Sequence, residues 1–423
     1  MRHWCWFVLL GMALASCVST PSPVSPPPAT LSPTPSPSPV FSPTPAAPLD
    51  LVIWVPDSWI SSLDTPTGQA LQQQLQAFAG QYPGYTVSLR LKKATGAGGM
   101  LELLSVANQV APSVLPDLVL FEQGSLQEAY QKALLTPLAL SAERAGAWPA
   151  ALQASVSDGE TWYAVPYLLD LEQALLVPHA QERLPLTWDA LLSEDYHVLI
   201  PAGNADLADP ALVAWYLSTG AGIVDERGNP ALERNALETL YRFIRTLQET
   251  EALDPVVVRG LTDAQAAWEL FTGRPGTLSV VPGGSYWTAP SAAGLPMTLP
   301  GLTAPAVAPV TRFLAWGYVR RDPTRQEAAL ALLDWLTAPE QINAISMASQ
   351  MLPADRNALA LRPFPAEQAA ALTDILNASY VFPSPLVERS IRRALQAGLI
   401  ALLDSPDVTP TMAAAVALGR LRE

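Results

Sequence analysis

The chain has 423 residues, with 24 Lys and Arg against 38 Asp and Glu, and a net charge of −14. Lysine is confined to Lys92, Lys93 and Lys132, which leaves no basic face for nucleic acid. Histidine is limited to His3, His179 and His197 and cysteine to Cys5 and Cys17, so imidazole and thiolate sites are scarce, and neither a metal nor a cofactor is expected. At the start, Arg2 precedes an apolar run from Trp4 to Leu14, followed by small residues. That is the pattern of a secretory signal over residues 1–16 and not of a spanning helix. Residues 18–48 are almost wholly Pro, Ser, Thr and small apolar residues. Such a stretch buries too little surface to offset its ordering entropy, so it reads as a disordered tether. In polyproline II geometry it would reach on the order of 90 Å.

Leu14-Ala15-Ser16-Cys17 resembles the lipobox of a bacterial lipoprotein signal. The resemblance implies cleavage before Cys17 and lipid on its sulfur and amine, which anchors the protein to the outer face of the cell membrane. Cys17 would then be the sole cysteine left, and no disulfide or cysteine nucleophile is available.

The body from Leu49 onward is too long for one ordinary core and suits two lobes. Residues 49–55 (LDLVIWV) form a short buried-strand pattern ended by Pro56. Residues 68–82 place Ala70, Leu71, Leu75, Phe78 and Ala79 at helical spacing before the stop Tyr82-Pro83-Gly84. Residues 85–91 alternate like a strand, 101–110 read as a second helix and 117–121 (DLVLF) as a third strand. Strand, helix, strand, helix, strand predicts a parallel α/β sheet.

These phrases, with Trp54, Tyr82-Pro83-Gly84 and Pro116-Asp117, resemble the first lobe of family 1 extracellular solute-binding proteins, the maltose-binding-like group that serves ABC importers. The likeness continues in order through DGETWYAVPY (158–167), PLTWDAL (185–191), residues 220–250, AWELFTGRPGTLSVVPGGSYW (267–287), FLAWGYV (313–319) and MLPADRN (351–357). Thr187 is placed there as a helix N-cap. The chain departs from the family at 175–179, where LLVPH replaces a Tyr-Asn pair, and at Gly273-Arg274-Pro275-Gly276. The resemblance implies an α/β, two-lobed periplasmic-binding-protein-like fold of type II, with a cleft between lobes joined by a multi-crossing hinge. Crossings are expected near 165–171, 310–314 and 352–355. Lobe 1 would comprise 49–166 and 312–352, and lobe 2 would comprise 167–311 and 353–423. A monomer is expected, with a small-molecule ligand, most simply a carbohydrate, and with an ABC permease and a separate ATPase as partners.

Sugars offer apolar C–H faces ringed by hydroxyls and suit aromatic faces beside planar polar groups. The ligand-binding candidates are therefore Asp57 and Trp59 after the first strand, Glu122 after the third, Tyr167 at the first crossing, Trp287 after Gly283-Gly284, Trp316 on the return strand, and Tyr380. Blander readings stand beside them: Trp54 under the loop, Glu122 as a solvated acid, Tyr167 packing the hinge, and Trp316 in the core. Trp215 and Tyr216 are read as helix packing, and Arg356 as one half of a hinge salt bridge. A glycosidase would need two carboxylates across a scissile bond, and Asp57 and Glu122 are the pair on offer, but no motif fixes them. Two further alternatives are a surface-displayed or sensory binding protein without an importer, and a non-sugar cargo such as a polyamine or glycerophosphodiester.

Overall fold

The computed structural model describes residues 48–159, 161–178, 184–271, 273–288, 294–319 and 322–423. The signal peptide, Cys17, the tether up to residue 47 and His179 lie outside the described residues. Among the described residues there are ten strands, in chain order β1 (Leu49–Pro56), β2 (Tyr85–Lys92), β3 (Leu118–Glu122), β4 (Val165–Val177), β5 (His197–Leu199), β6 (Thr277–Pro282), β7 (Leu295–Met297), β8 (Ala308–Tyr318), β9 (Leu352–Pro353) and β10 (Ser379–Tyr380). The main path of the sheet runs β2-β1-β3-β8-β4-β6-β5.

The opening units fold as their periodicity predicts. Thr65 caps the Pro66–Gln81 helix, its hydroxyl accepting from the Gly68 amide at 3.1 Å, and Pro66 supplies a fixed φ at the first helical position. Leu71, Leu75 and Phe78 turn inward from that helix. It returns the chain so that β2 pairs with β1 in parallel, from Leu49 opposite Tyr85 to Pro56 opposite Lys92, and β3 joins the other side of β1 in parallel. β8 then enters antiparallel between β3 and β4.

β4 links the two halves of the sheet. Its first half pairs with β8 as far as Leu171, and from Glu172 onward it pairs with β6. One continuous 13-residue strand therefore belongs to both halves of the sheet, with a break in register beside Asp170. Two hydrophobic clusters flank this junction. The first gathers Leu51, Phe78, Phe121, Trp148, Leu168, Trp316 and Leu336, and also Ala358, Leu372 and Leu376. The second gathers Leu176, Trp188, Trp215, Tyr241, Leu278, Phe382, Ile391 and Leu402. Trp215 and Tyr216 are buried in the second, as helix packing requires.

The second cluster is closed by the Pro385–Asp404 and Pro410–Leu421 helices, which pack on Arg234–Glu249. The turn between the last two helices leaves carbonyls without helical partners. Arg245 Nη2 reaches three of them, Leu402 at 3.0 Å, Ser405 at 3.1 Å and Val408 at 2.8 Å. Arg245→Ala is expected to cost about 2 kcal/mol, since a charge-assisted bond is worth about 1.5–3 kcal/mol. A urea unfolding midpoint checks this, and an unchanged midpoint would show that water replaces the guanidinium at no cost.

Candidate functional site

β1 ends at Pro56, β3 at Glu122, and the middle of β8 lies opposite the middle of β4, with Arg312 facing Asp170. These ends bring together polar groups that the sequence keeps far apart. Ser58 Oγ donates to Glu122 Oε1 at 2.7 Å. Arg312 Nη2 donates to the Ser58 carbonyl at 2.7 Å and to Glu122 Oε1 at 3.3 Å. Asp170 Oδ1 accepts from its neighbour, the Leu171 amide, at 2.9 Å and from the Gly284 amide at 2.7 Å. Burial pushes the Asp170 carboxyl up to about 6, although both amides and the Arg312 charge pull the other way.

Gly284 has no alternative at its position. A Cβ there would sit 2.2 Å from the Gln350 carbonyl oxygen and 3.0 Å from Asp170 Oδ1, so only glycine lets its amide approach the carboxylate. The floor of the site is therefore a donor–acceptor chain, Ser58–Glu122–Arg312 with Asp170 and Gly284 alongside, built on two strand ends, the middles of two further strands and one helix start.

The sequence candidates fall around this floor in different ways. Glu122 is part of it. Asp57 is exposed and spends Oδ1 on the Ala94 amide at 3.0 Å. Trp59 is buried and meets Tyr167 edge-on at 6.1 Å between centroids, and Tyr167 in turn meets Trp316 at 5.7 Å. Tyr167 and Trp316 are fully buried, so for Trp316 the core placement holds, and Tyr167 packs the crossing. The Trp316 indole N–H is directed at the Tyr167 hydroxyl, and the Trp59 indole N–H has no hydrogen-bond partner among the described residues. Trp54 is buried with Lys92 Nζ 4.6 Å over its ring.

Trp287 sits differently from its expected place on a loop. Gly283–Thr288 forms a helix whose turn carries Trp287 inward, 1% exposed, with Nε1 donating to Gln173 Oε1 at 2.7 Å and the ring against Tyr286 and Phe364. It presents no open face to a ligand in this conformation. Tyr380 is half-buried beside Phe382 and lines a cavity of about 330 Å³ with Gln123, Gln127, Ser155 and Tyr163. Gln123 Nε2 donates to the Phe382 carbonyl and closes one side of it. Arg356 bonds the Asn377 side chain at 2.7 Å and the Gly146 carbonyl at 3.4 Å, neutral acceptors where an acid was expected.

Asp170 enters the sequence reading only as the companion of Tyr167 at the first crossing, and Arg312 and Gly284 are not among its candidates. A signal existed for the first two: Arg312 is the single charge in APVTRFLAWGY, and Asp170 is one of two acids, with Glu172, in the apolar run VPYLLDLEQALLV. A cavity of about 340 Å³ beside His197, Asp254 and Arg274 opens at the amino ends of β5 and β6, the ends opposite Pro282 and Gly283. His197 begins β5 and is exposed there, where a loop was expected. Among the described residues no group of three His, Cys, Asp or Glu side chains is arranged to hold a metal. No described helix is long and apolar enough to cross a membrane.

Residues 73–372 match the family model described as bacterial extracellular solute-binding protein. No curated protein matches the chain in sequence. In fold it is similar to maltose-bound MalE3 of T. maritima, with 17% identity, a TM-score of 0.57 and coverage of 88% of this chain and 99% of that one. It is similar also to a cyclo/maltodextrin-binding protein complexed with maltotetraose, with 16% identity, a TM-score of 0.64 and coverage of 89% and 97%. A third similar structure is the sugar-binding protein MalE of Xanthomonas citri, with 15% identity, a TM-score of 0.65 and coverage of 88% and 96%. At these identities the likeness is one of fold: an α/β protein of two lobes with a cleft between them.

Proposed function

We propose, since the chain belongs to the bacterial extracellular solute-binding proteins, that it captures an uncharged oligosaccharide in its interlobe cleft and hands it to an ABC permease driven by a separate ATPase. No bond is made or broken, and selectivity lies in hydrogen bonding, contact with rings and lobe closure. The observation that carries the reading is the cleft floor, where Arg312 lies against Glu122 and faces Asp170. A polyamine would meet the guanidinium, and a phosphodiester would meet Glu122 and Asp170. A neutral polyol meets donors and acceptors together. The Trp59 indole N–H, which lacks a partner among the described residues, is a further group for its hydroxyls once the lobes part. Fold neighbours holding maltose and maltotetraose support the same class.

The lobe division follows the two hydrophobic clusters in this reading. Residues 354–376 then stay with the first lobe, because Ala358, Leu372 and Leu376 pack there, and the third crossing moves from 352–355 to about β10, where Ser379 pairs with Ala308. The lipobox at Cys17 and the tether place the lobes outside the cell membrane on a lipid anchor. A stalk of that length also suits a surface-displayed or sensory receptor without an importer.

Thermal unfolding against maltose, maltotetraose, spermidine and glycerophosphocholine tests the cargo. A ligand at about a thousand times its Kd stabilises by roughly 4 kcal/mol. A rise in Tm with a sugar alone is the expected result. A rise with spermidine or glycerophosphocholine alone would keep the binding role and reverse the charge argument.

A further inference from the structure

Glu172 lies on β4 where that strand turns from β8 to β6, and Asp209 is the N-cap of the Pro210–Leu217 helix. Both side chains are buried, each in a residue 7% exposed. Both accept the same amide hydrogen: Ala211 N lies 3.1 Å from Glu172 Oε2 and 3.0 Å from Asp209 Oδ1. Two carboxylate oxygens around one N–H stand against each other, and two anions in contact in a buried site cannot both stay ionised.

The counter-charge that the surroundings supply among the described residues pulls both carboxyls down, against burial, but is divided. Arg392, from the Pro385–Asp404 helix, is the cation that faces the pair, but its Nε is spent on the Ala208 carbonyl at 2.7 Å and its Nη1 on Glu388 Oε1 at 2.6 Å. Asp263, the N-cap of the Ala264–Leu270 helix, adds negative charge to the same region. β6 contributes Pro282 opposite Glu172, which carries no charge. Burial pushes both carboxyls up, and the contact with Asp209 pushes Glu172 further in the same direction.

We propose that Glu172 and Asp209 hold one proton between them at neutral pH, and that its loss in alkaline medium drives the Pro210–Leu217 helix from its seat on β4. Glu172 donates, the Asp209 carboxylate accepts, and both keep the Ala211 amide. The proton fastens the crossing strand to the first turn of a second-lobe helix. Its release places two like charges at that joint, two residues along β4 from Asp170 on the cleft floor. The device does not depend on what the cleft binds.

The sign of the effect is fixed. Glu172 is raised above its unfolded value, so its contribution is whole below about pH 4.3 and is lost as pH climbs through the raised folded value. Between those limits folding takes up one proton. Relative to Glu172→Gln, whose amide donates to Asp209 with no proton to lose, the wild-type folding constant should fall tenfold per pH unit. Urea unfolding of the full chain of both proteins across about pH 5–8 reads this difference, and Asp170, common to both, cancels. A difference that is flat with pH overturns the proposal. Infrared spectroscopy at about pH 8, where Asp170 is ionised, should show a protonated-carboxyl band in the wild type that Glu172→Gln removes. No such band, or a band that survives the substitution, also overturns it. If Glu172→Gln does not fold, Asp209→Asn keeps the cap acceptor and is read in the same way, and the wild-type band remains decisive.

Discussion

Replacing Asp117 by Asn is expected to cost about 3–5 kcal/mol of stability, the range for breaking a buried ion pair from one side. Asp117 is fully buried between β1 and the Pro323–Leu336 helix. Its Oδ1 accepts from Arg325 Nε at 2.8 Å, and its Oδ2 accepts from Arg325 Nη2 at 2.7 Å and from the Val52 amide at 2.7 Å. Arg325 also donates to the Asp50 carbonyl, so one fork joins the start of β3, the middle of β1 and a helix that follows β8. Hydrogen bonding to Asp117 is the main reason the guanidinium is held above its usual range. Asparagine preserves the volume and loses the charge, which leaves Arg325, 13% exposed at its side chain, without its anion. The urea midpoint should fall with an unchanged slope. A loss below about 1 kcal/mol, the scale of a surface pair, would mean that the site readily rehydrates.

Periodicity made the first lobe legible because its elements are amphipathic and short-range. The strand at 49–55 and the helix at 68–82 differ from β1 and Pro66–Gln81 by only a residue or two at the ends. The family likeness pointed to crossings within the apolar runs that form β4 and β8, and β4 pairs with β8 over its first half and with β6 beyond it. What the residues could not show was the direction of each aromatic ring. Gly283-Gly284 reads as a flexible loop, and Trp287 after it as an exposed ring. The structure uses the same glycines for close approach: Gly283 would meet Leu171 and Gly284 would meet Gln350 if either carried a side chain. That approach starts a helix and turns Trp287 into the core. Asp170 and Arg312 escaped for the complementary reason. Each is anomalous inside its own strand, but the meaning of the anomaly lies in the pairing of β4 with β8, a tertiary fact.

The arrangement also explains how a cleft can be polar at its floor and yet rest on a rigid base. Trp59, Tyr167 and Trp316 form an edge-to-face series beneath the strand ends, and such ring pairs are worth about 0.5–1.5 kcal/mol beyond their buried area. Two of the charged groups above them have backbone partners, the Ser58 carbonyl for Arg312 and the Leu171 and Gly284 amides for Asp170, whereas Glu122 is held by the Ser58 and Arg312 side chains. Backbone partners do not change rotamer, so Asp170 and Arg312 are fixed elements of the proposed cleft floor.

That fixity makes Asp170→Asn the sharpest test of the proposed cleft. Affinity for the sugar giving the largest Tm rise is expected to fall about ten- to a hundredfold, since a hydrogen bond to a charged acceptor contributes about 1.5–3 kcal/mol. The same substitution should stabilise the unliganded protein at neutral pH. The Asp170 carboxyl is raised to about 6. Its contribution to stability is therefore fully present below its unfolded value of about 4 and is lost as pH rises through about 6. Wild type should gain stability relative to Asp170→Asn between about pH 7 and pH 4, and its sugar affinity should decline over the same interval as the acceptor takes up a proton. Calorimetric titrations and thermal melts at pH 5 and 8 separate the two effects. Equal sugar affinity for both proteins at both pH values would remove Asp170 from the site. A stability difference that ignores pH would show that the carboxyl is better solvated than its position between Leu171 and Gly284 implies.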